Sequence, residues 1–414
     1  MLENQSDKKL TASATKVREA KKRRVTLNSP SRSILEVRSI SSSSKSVPHD
    51  LIFGIFTRLP VKSLIRFKCI AKFYSITITN PSFALVHQPY LEPKPSLLFT
   101  CSTKHQSTQI FFAVSQNGNR ATHLLTIPPR FSRYTTQSVN GILCMDFGIC
   151  ATICNPSTRQ AISLPFPFPK NSFIASTTNF YVNFLGFNPN DKQYKVLNSW
   201  GNYKMGTTEY MVFTLGTKKW RRVHGGPNYF AQRESICISG IIFFRSWMSL
   251  GTINRVAALV SFDVQTESFR VINLPRGAPH NVDTSCLIQL EGRLVIIDYR
   301  LDREHYCLWL LEDYCNEIWA KRYITFPSYL EKRITGLNFV VSGTIDTGEI
   351  TMVAQCLSTP FSPFTVFYYN PSTGNFRRVR IFGLPNYNAL NMSCNDVTVT
   401  NYVENILPLC QQAS

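Results

Sequence analysis

The side chains able to do chemistry in this 414-residue chain are numerous but scattered. Twelve cysteines run from Cys69 to Cys410 without a single CxxC pair. The densest group, Cys144, Cys150 and Cys154, lacks the gaps of a zinc ribbon or finger. It reads as reduced thiols packed as small hydrophobes. The histidines, His49, His87, His105, His123, His224, His280 and His305, stand far apart. Asp302 lies close to His305, and Asp283 close to Cys286, but neither pair has a third partner in sequence. No GxSxG elbow, HExxH helix, phosphate-binding loop or GxGxxG turn occurs. The expectation is a non-catalytic chain without metal or cofactor, whose function lies in its binding surfaces.

Two kinds of element could carry such surfaces. The first is Val47 to Phe83, a short helical island in a strand-rich chain. Pro48 opens it, and Leu51, Ile52, Ile55, Phe56 and Leu59 fall on one broad helical face. Pro60 stops that helix. Leu64, Phe67 and Ile70 repeat every three residues, and Phe73 to Ile78 gives a third apolar segment. So short a stretch buries too little surface to stand alone, so its apolar faces need a second surface.

Those residues resemble an F-box, the adaptor-docking motif of substrate receptors in Skp–cullin–F-box ubiquitin ligases. The matching positions are Pro48-His49-Asp50-Leu51, Ile55, Arg58-Leu59-Pro60, Lys62-Ser63-Leu64, Arg66-Phe67-Lys68-Cys69 and Lys72. Gly54 stands where the family usually has Glu, and Tyr74 where it usually has Trp. The resemblance implies about three short helices. It also implies adaptor contacts from Pro48, Leu51, Ile55, Leu59, Pro60, Leu64, Phe67, Cys69 and Tyr74, with cullin reached through the adaptor.

Composition narrows the rest. Hydrophobic residues make up 43% of the chain and charged residues 17%, which excludes a wholly disordered protein. No apolar run is long enough to span a bilayer, and the N-terminus lacks the apolar core of a signal peptide. A membrane is not an expected partner, and the expected location is the nucleus, the cytoplasm or both. Net charge is +20. Residues 1–46 read as a disordered basic tail, with eleven Lys/Arg against four Asp/Glu. Within it, Lys16 to Arg24 forms a basic cluster that reads equally as a nuclear-import signal or a solvated charge run.

From Ser96 onward, apolar β-branched and aromatic runs alternate with turns: Leu97–Cys101, Gln109–Val114, Ile142–Met145, Ala151–Cys154, Tyr194–Leu197, Tyr210–Leu215, Ile241–Phe244, Ala257–Phe262, Leu294–Asp298, Tyr306–Leu311, Ile350–Val353 and Thr365–Tyr369. A turn motif recurs, with a polar pair followed by a bulky residue: Asn155/Thr158/Ala161, Thr217/Trp220, Asp263/Thr266/Phe269, Asp313/Asn316/Trp319 and Asn370/Thr373/Phe376. The last residues of these copies are spaced 59, 49, 50 and 57 apart. A second element, Asn140-Gly141, Ser239-Gly240 and Glu291-Gly292, reads as a tight hairpin or bulge. A period near 50 residues with about four strands marks a β-propeller blade. Five copies are visible, and Leu97 to Leu125 supplies most of a sixth. The rival is a β-sandwich or open stack of hairpins.

Residues 96–400 also resemble the F-box associated domain of plant F-box proteins, type 3 subclass. The motifs are Ser138 to Cys144, Ile153 to Thr158, Phe184 to Pro189, Asp191 to Leu197, Thr214 to Arg221, Ile236 to Gly240, Leu308 to Asp313 and Tyr368 to Pro371. The expected architecture is thus a mainly β chain. A basic tail (1–46), a small all-α F-box (47–90), a kelch-like six-bladed propeller (96–400) and a C-terminal tail (401–414) follow in order. The expected role is the substrate-recognition subunit of a ubiquitin ligase, with an unknown target protein held by the β domain. The alternative is a ligase-independent nuclear module for nucleic acid or acidic partners, resting on the net charge of +20 and the tail cluster Lys16 to Arg24. Two basic runs, Lys218-Lys219-Trp220-Arg221-Arg222 and Phe376-Arg377-Arg378-Val379-Arg380, are further candidate patches for an acidic partner or nucleic acid. Nucleic acid is the less expected partner, because these runs also read as blade strands with solvated basic faces.

Overall fold

The computed structural model describes residues 47–90, 96–102, 108–116, 118–128, 135–167, 179–202, 204–250, 254–279, 285–298, 305–325, 339–345, 347–354, 364–385 and 397–409. The chain divides into two units, Met1–Val47 and Pro48–Ser414. The basic cluster Lys16 to Arg24, with Asp283 and Asp302, lies outside the described residues.

The helical island forms four helices, α1 (His49–Phe56), α2 (Val61–Phe67), α3 (Lys72–Thr79) and α4 (Pro81–Tyr90). Three were expected. Pro81 starts α4, because a proline at the first helical position has no N–H to leave unpaired. The Asn80 side-chain carbonyl caps this start by accepting the Ser82 N–H at 2.9 Å.

The strands form six four-stranded antiparallel sheets. The first holds β1 (Ser96–Ser102), β2 (Gln109–Ser115) and β3 (Thr122–Ile127). The second runs β4 (Thr135–Val139), β5 (Ile142–Asp146), β6 (Ala151–Asn155) and β7 (Gln160–Ser163). The third runs β8 (Asn179–Asn188), β9 (Gln193–Asn202), β10 (Thr207–Thr214) and β11 (Arg221–Val223). The fourth is β12 (Phe230–Ile238), β13 (Ile241–Leu250), β14 (Asn254–Asp263) and β15 (Phe269–Ile272). The fifth is β16 (Ser285–Leu290), β17 (Arg293–Asp298), β18 (His305–Asp313) and β19 (Ile318–Thr325). The sixth is β20 (Phe339–Thr344), β21 (Ile350–Ala354), β22 (Phe364–Tyr369) and β23 (Phe376–Ile381). The last strand, β24 (Val397–Tyr402), returns to pair with β1 and completes the first sheet, with Ser96 opposite Tyr402.

The result is a closed six-bladed propeller. A separate apolar cluster fills each of the six gaps between neighbouring blades. The gap between blades 1 and 2 holds Leu98, Phe111 and Tyr402 against Leu143, Met145 and Cys154. Closure covers every sheet face, which an open stack would leave wet at its two ends.

The repeated turn motif works as its residue types demand. Asn155, Asp263, Asp313 and Asn370 each accept backbone N–H groups two and three residues on, at 2.8–3.4 Å. The bulky residue after the turn reaches the preceding blade. Trp220 Nε1 donates to the Pro165 carbonyl at 2.7 Å, and Trp319 Nε1 to that of Asn273 at 3.1 Å. Phe269 packs on Tyr210 with centroids 4.4 Å apart. In the second recurring element both central residues have positive φ: Asn140 46° and Gly141 79°, Glu291 51° and Gly292 76°. These are the angles of a type I′ hairpin turn.

The inner strands are laced by side chains. Gln137 on β4 exchanges two hydrogen bonds with the Leu185 backbone of β8, at 2.7 and 3.0 Å. Ser138 donates to the Asn401 carbonyl of β24 at 3.1 Å, and Asn401 to the Thr344 carbonyl of β20. Thr344 donates to the Gln289 carbonyl of β16 at 2.5 Å. The Glu234 carboxylate of β12 accepts the Leu287 N–H of β16 at 2.5 Å.

Candidate functional site

The four helices have a core of their own: Phe56, Val61, Leu64, Ile78, Phe83 and Ala84, closed by Ile406 from the far end of the chain. Tyr74 sits edge-on to Phe56 at 5.1 Å and to Phe67 at 6.2 Å. His49 stacks on Phe73 at 4.3 Å and joins the start of α1 to the start of α3. A bundle so filled has no need of its remaining apolar side chains, yet many point outward. Leu51 is 59% exposed, Ile55 53%, Ile70 66% and Ile76 60%, and Phe53 and Phe73 are exposed beside them. Apolar surface concentrated on α1, on α3 and, with Ile70, on the turn before α3 is the signature of an interaction face.

The residues expected to meet an adaptor separate into three groups. Pro48, Leu51, Ile55, Pro60 and Cys69 are exposed. Leu59, Phe67 and Tyr74 are half-buried. Leu64 is fully buried. Its side chain holds α2 to the bundle. The α1 face is likewise split. Phe56 points into the core, Ile52 and Leu59 lie at its border, and Leu51 and Ile55 point away. Ile70, Phe73 and Ile76 were visible in the sequence as apolar positions but not as outward ones. When a short helix is apolar nearly all round, periodicity does not separate inside from outside.

The rim of this face is basic, with Arg58, Lys62, Arg66 and Lys72 exposed and Asp50 the single acidic residue among α1 to α3. Gly54 lies on the exposed side of α1, where an added Cβ would meet nothing within 4 Å. His87 on α4 is 1% exposed, and its Nε2 lies 2.8 Å from the Leu59 carbonyl. Burial pushes its pKa down, against the opposing pull of the Leu59 hydrogen bond and of Glu404.

The two basic runs of the propeller are engaged in the fold. Arg221 and Lys195 meet Glu267 of the next blade, Lys195 at 2.9 Å. Arg222 pairs with Glu209 at 2.7 Å and Arg377 with Glu349 at 2.8 Å. Lys218, Lys219, Arg378 and Arg380 remain exposed. Among the described residues no group of three His, Cys, Asp or Glu side chains could hold a metal ion. Nor is any helix among them long and apolar enough to cross a membrane. The described cysteines are free thiols; burial pushes Cys101 and Cys154 up to about 12 and Cys237 to about 11.

An axial cavity of about 710 Å³ opens at the end of the propeller where the type I′ turns lie. Its wall is made of Thr136, Ser138, Ser235, Ser342, Thr344 and Thr400 with their neighbours, and Glu291 is the one charged residue among the described residues that line it.

A helical bundle with an outward apolar face is joined to a closed six-bladed propeller. The chain belongs to the F-box associated β-propeller family, whose model, described as the F-box associated beta propeller domain, matches residues 96–403. Its relatives are plant F-box proteins. F-box protein At1g30790 of Arabidopsis thaliana is 31% identical over 397 residues, covering 87% of this chain and 97% of its own. The F-box protein DOR of the same plant is 29% identical, over 82% of this chain and 88% of its own. Among solved structures, the six-bladed lectin of Aleuria aurantia superposes with a TM-score of 0.37 at 9% identity, over 70% of this chain and 97% of its own. That likeness carries no functional argument.

Proposed function

We propose that the chain is the substrate-recognition subunit of a Skp–cullin–F-box ubiquitin ligase. The α1 and α3 face docks on the Skp-type adaptor, cullin is reached through the adaptor, and the propeller holds a target protein. No residue of the chain does bond chemistry. Its contribution is to raise the effective concentration of target lysines at the charged conjugating enzyme. The observation that carries this reading is the outward apolar set Leu51, Ile55, Ile70, Phe73 and Ile76 on a bundle whose core is already filled. The basic rim adds a preference for a partner with acidic side chains around its groove.

The test is capture of a purified Skp-type adaptor by the full chain, compared with Leu51→Asp and Ile55→Asp. Both positions are more than half exposed, so a charge there leaves the bundle folded. Leu59 is less suitable, because it is half-buried against the core. Capture by the parent chain and its loss in both variants is the expected result. Undiminished capture by either variant overturns the docking assignment.

A further inference from the structure

Residues 401–414 read from the sequence as a tail, but the described part, 401–409, is bonded to the propeller. Tyr402 ends β24 beside Ser96, so the chain enters and leaves the propeller at adjacent points. Beyond Tyr402 it crosses the turns of blades 2 and 3. Asn405 is fully buried. Its side-chain amide donates to the Asn140 carbonyl at 2.7 Å and to the Tyr194 hydroxyl at 3.0 Å. Its backbone N–H donates to Ser157 Oγ at 3.0 Å. The Asn155 amide, whose oxygen shapes the first repeated turn, donates to the carbonyls of Asn405 and Leu407 at 3.0 and 2.8 Å. Gln160 accepts the Leu409 N–H at 3.0 Å.

The apolar residues of this segment point to different bodies. Leu409 is buried in the cluster between blades 2 and 3, with Val139, Ile142 and Leu185. Ile406 is buried in the helical core, with Phe56, Leu64 and Phe83. Leu407 touches both. Besides the covalent connection before Ser96 and a long, exposed bond of 3.5 Å from Lys192 Nζ to the Leu85 carbonyl of α4, the helices are held to the propeller by Ile406, buried in their core. A body held at one point can swing about it. A second anchor, itself fixed by buried hydrogen bonds, removes that freedom.

We propose that residues 403–409 are a strap that locks the docking helices onto the propeller as one rigid body. The strap sets the distance and angle between the adaptor-binding face and whatever the propeller holds. That consequence rests on the receptor reading; the lock itself does not. The same strand that closes the propeller ring supplies the strap, so the helices are seated only on a closed ring.

The test uses the full chain with nitroxide labels on Cys69 and Cys315, the two exposed thiols among the described cysteines. Cys356, Cys394 and Cys410 are replaced by Ser, and double electron–electron resonance reads the label-to-label distance. A single narrow distance is expected for the parent. Ile406→Ala, which weakens the strap's hold on the helices, and Asn405→Ala, which removes the strap's side-chain bonds to Asn140 and Tyr194 without entering the helical core, are expected to broaden it. Near-ultraviolet circular dichroism confirms that the blades stay folded. A distance as narrow in both variants as in the parent overturns the strap. Adaptor capture on the same samples judges the receptor reading separately: if the parent captures none, that reading falls, while the distances still decide the strap.

Discussion

Replacing Gly141 with alanine tests how tightly the C-terminal segment is seated, and the structure supplies its own control. Gly141 and Gly292 occupy the same position of the same type I′ turn in blades 2 and 5, with φ of 79° and 76°. Both substitutions place a Cβ in the left-handed region, which costs about 1 kcal/mol. At Gly292 nothing else lies within 4 Å. At Gly141 the new Cβ would fall on the Val403 carbonyl oxygen and lie 3.0 Å from Asn405 Cβ. Overpacking against a fixed backbone adds about 1–3 kcal/mol. The displaced Asn405 would also give up its 2.7 Å bond to the Asn140 carbonyl, about 1 kcal/mol more. Gly141→Ala is thus expected to destabilise by about 3–5 kcal/mol and Gly292→Ala by about 1 kcal/mol. Urea unfolding of the two full-length variants measures the difference. Hydrogen exchange locates it, with protection falling at 404–409 and in the helices only in the first. Equal losses in the two would refute the reasoning, since the left-handed turn would then be the whole cost.

Gly54→Ala is expected to stabilise α1 by about 1 kcal/mol, because the position is open and glycine is a poor helix former; amide exchange in α1 should slow, and unchanged exchange would show that packing alone sets that helix. The buried His87 gives the bundle a pH dependence of definite sign. Its folded pKa lies below the unfolded value of 6.5, so below pH 6.5 the unfolded chain binds a proton that the folded chain still refuses. Stability should fall as pH drops through 6.5 and level off once the folded pKa is passed. His87→Gln, which keeps a donor for the Leu59 carbonyl, should flatten the profile in urea titrations, and an unflattened profile would assign the effect elsewhere.

The segments read from the sequence as strands are informative by their position. Leu97–Cys101 and Gln109–Val114 lie in β1 and β2, Ile142–Met145 and Ala151–Cys154 in β5 and β6, and the pattern holds around the ring. They are the two middle strands of each blade. Middle strands are covered on both faces by neighbouring blades, so they become continuous apolar runs, as β5 and β6 are, buried along their whole length. Outer strands such as β7 and β11 are short and half-exposed, and carry little signal. Inner strands such as β4 and β24 mix apolar with polar residues, because one side faces the axial cavity.

Local chemistry was therefore written in the chain. The Asn/Asp turns, the bulky residue that follows them, the blade period and the helical island could all be recognised, because each depends on residues close in sequence. Four things depended on residues far apart, and only the tertiary structure decided them. Ring closure by β24 joins Tyr402 to Ser96. The burial of Leu64 and the outward turn of Ile70, Phe73 and Ile76 follow from which helices pack together. The basic runs were drawn into ion pairs by carboxylates on other strands and blades, such as Glu267 and Glu349. And the last residues became a strap because Asn155 and Tyr194, more than 200 positions earlier, offer the partners that Asn405 needs. A side chain's type sets what it can bind; where it is buried depends on what the rest of the chain brings to it.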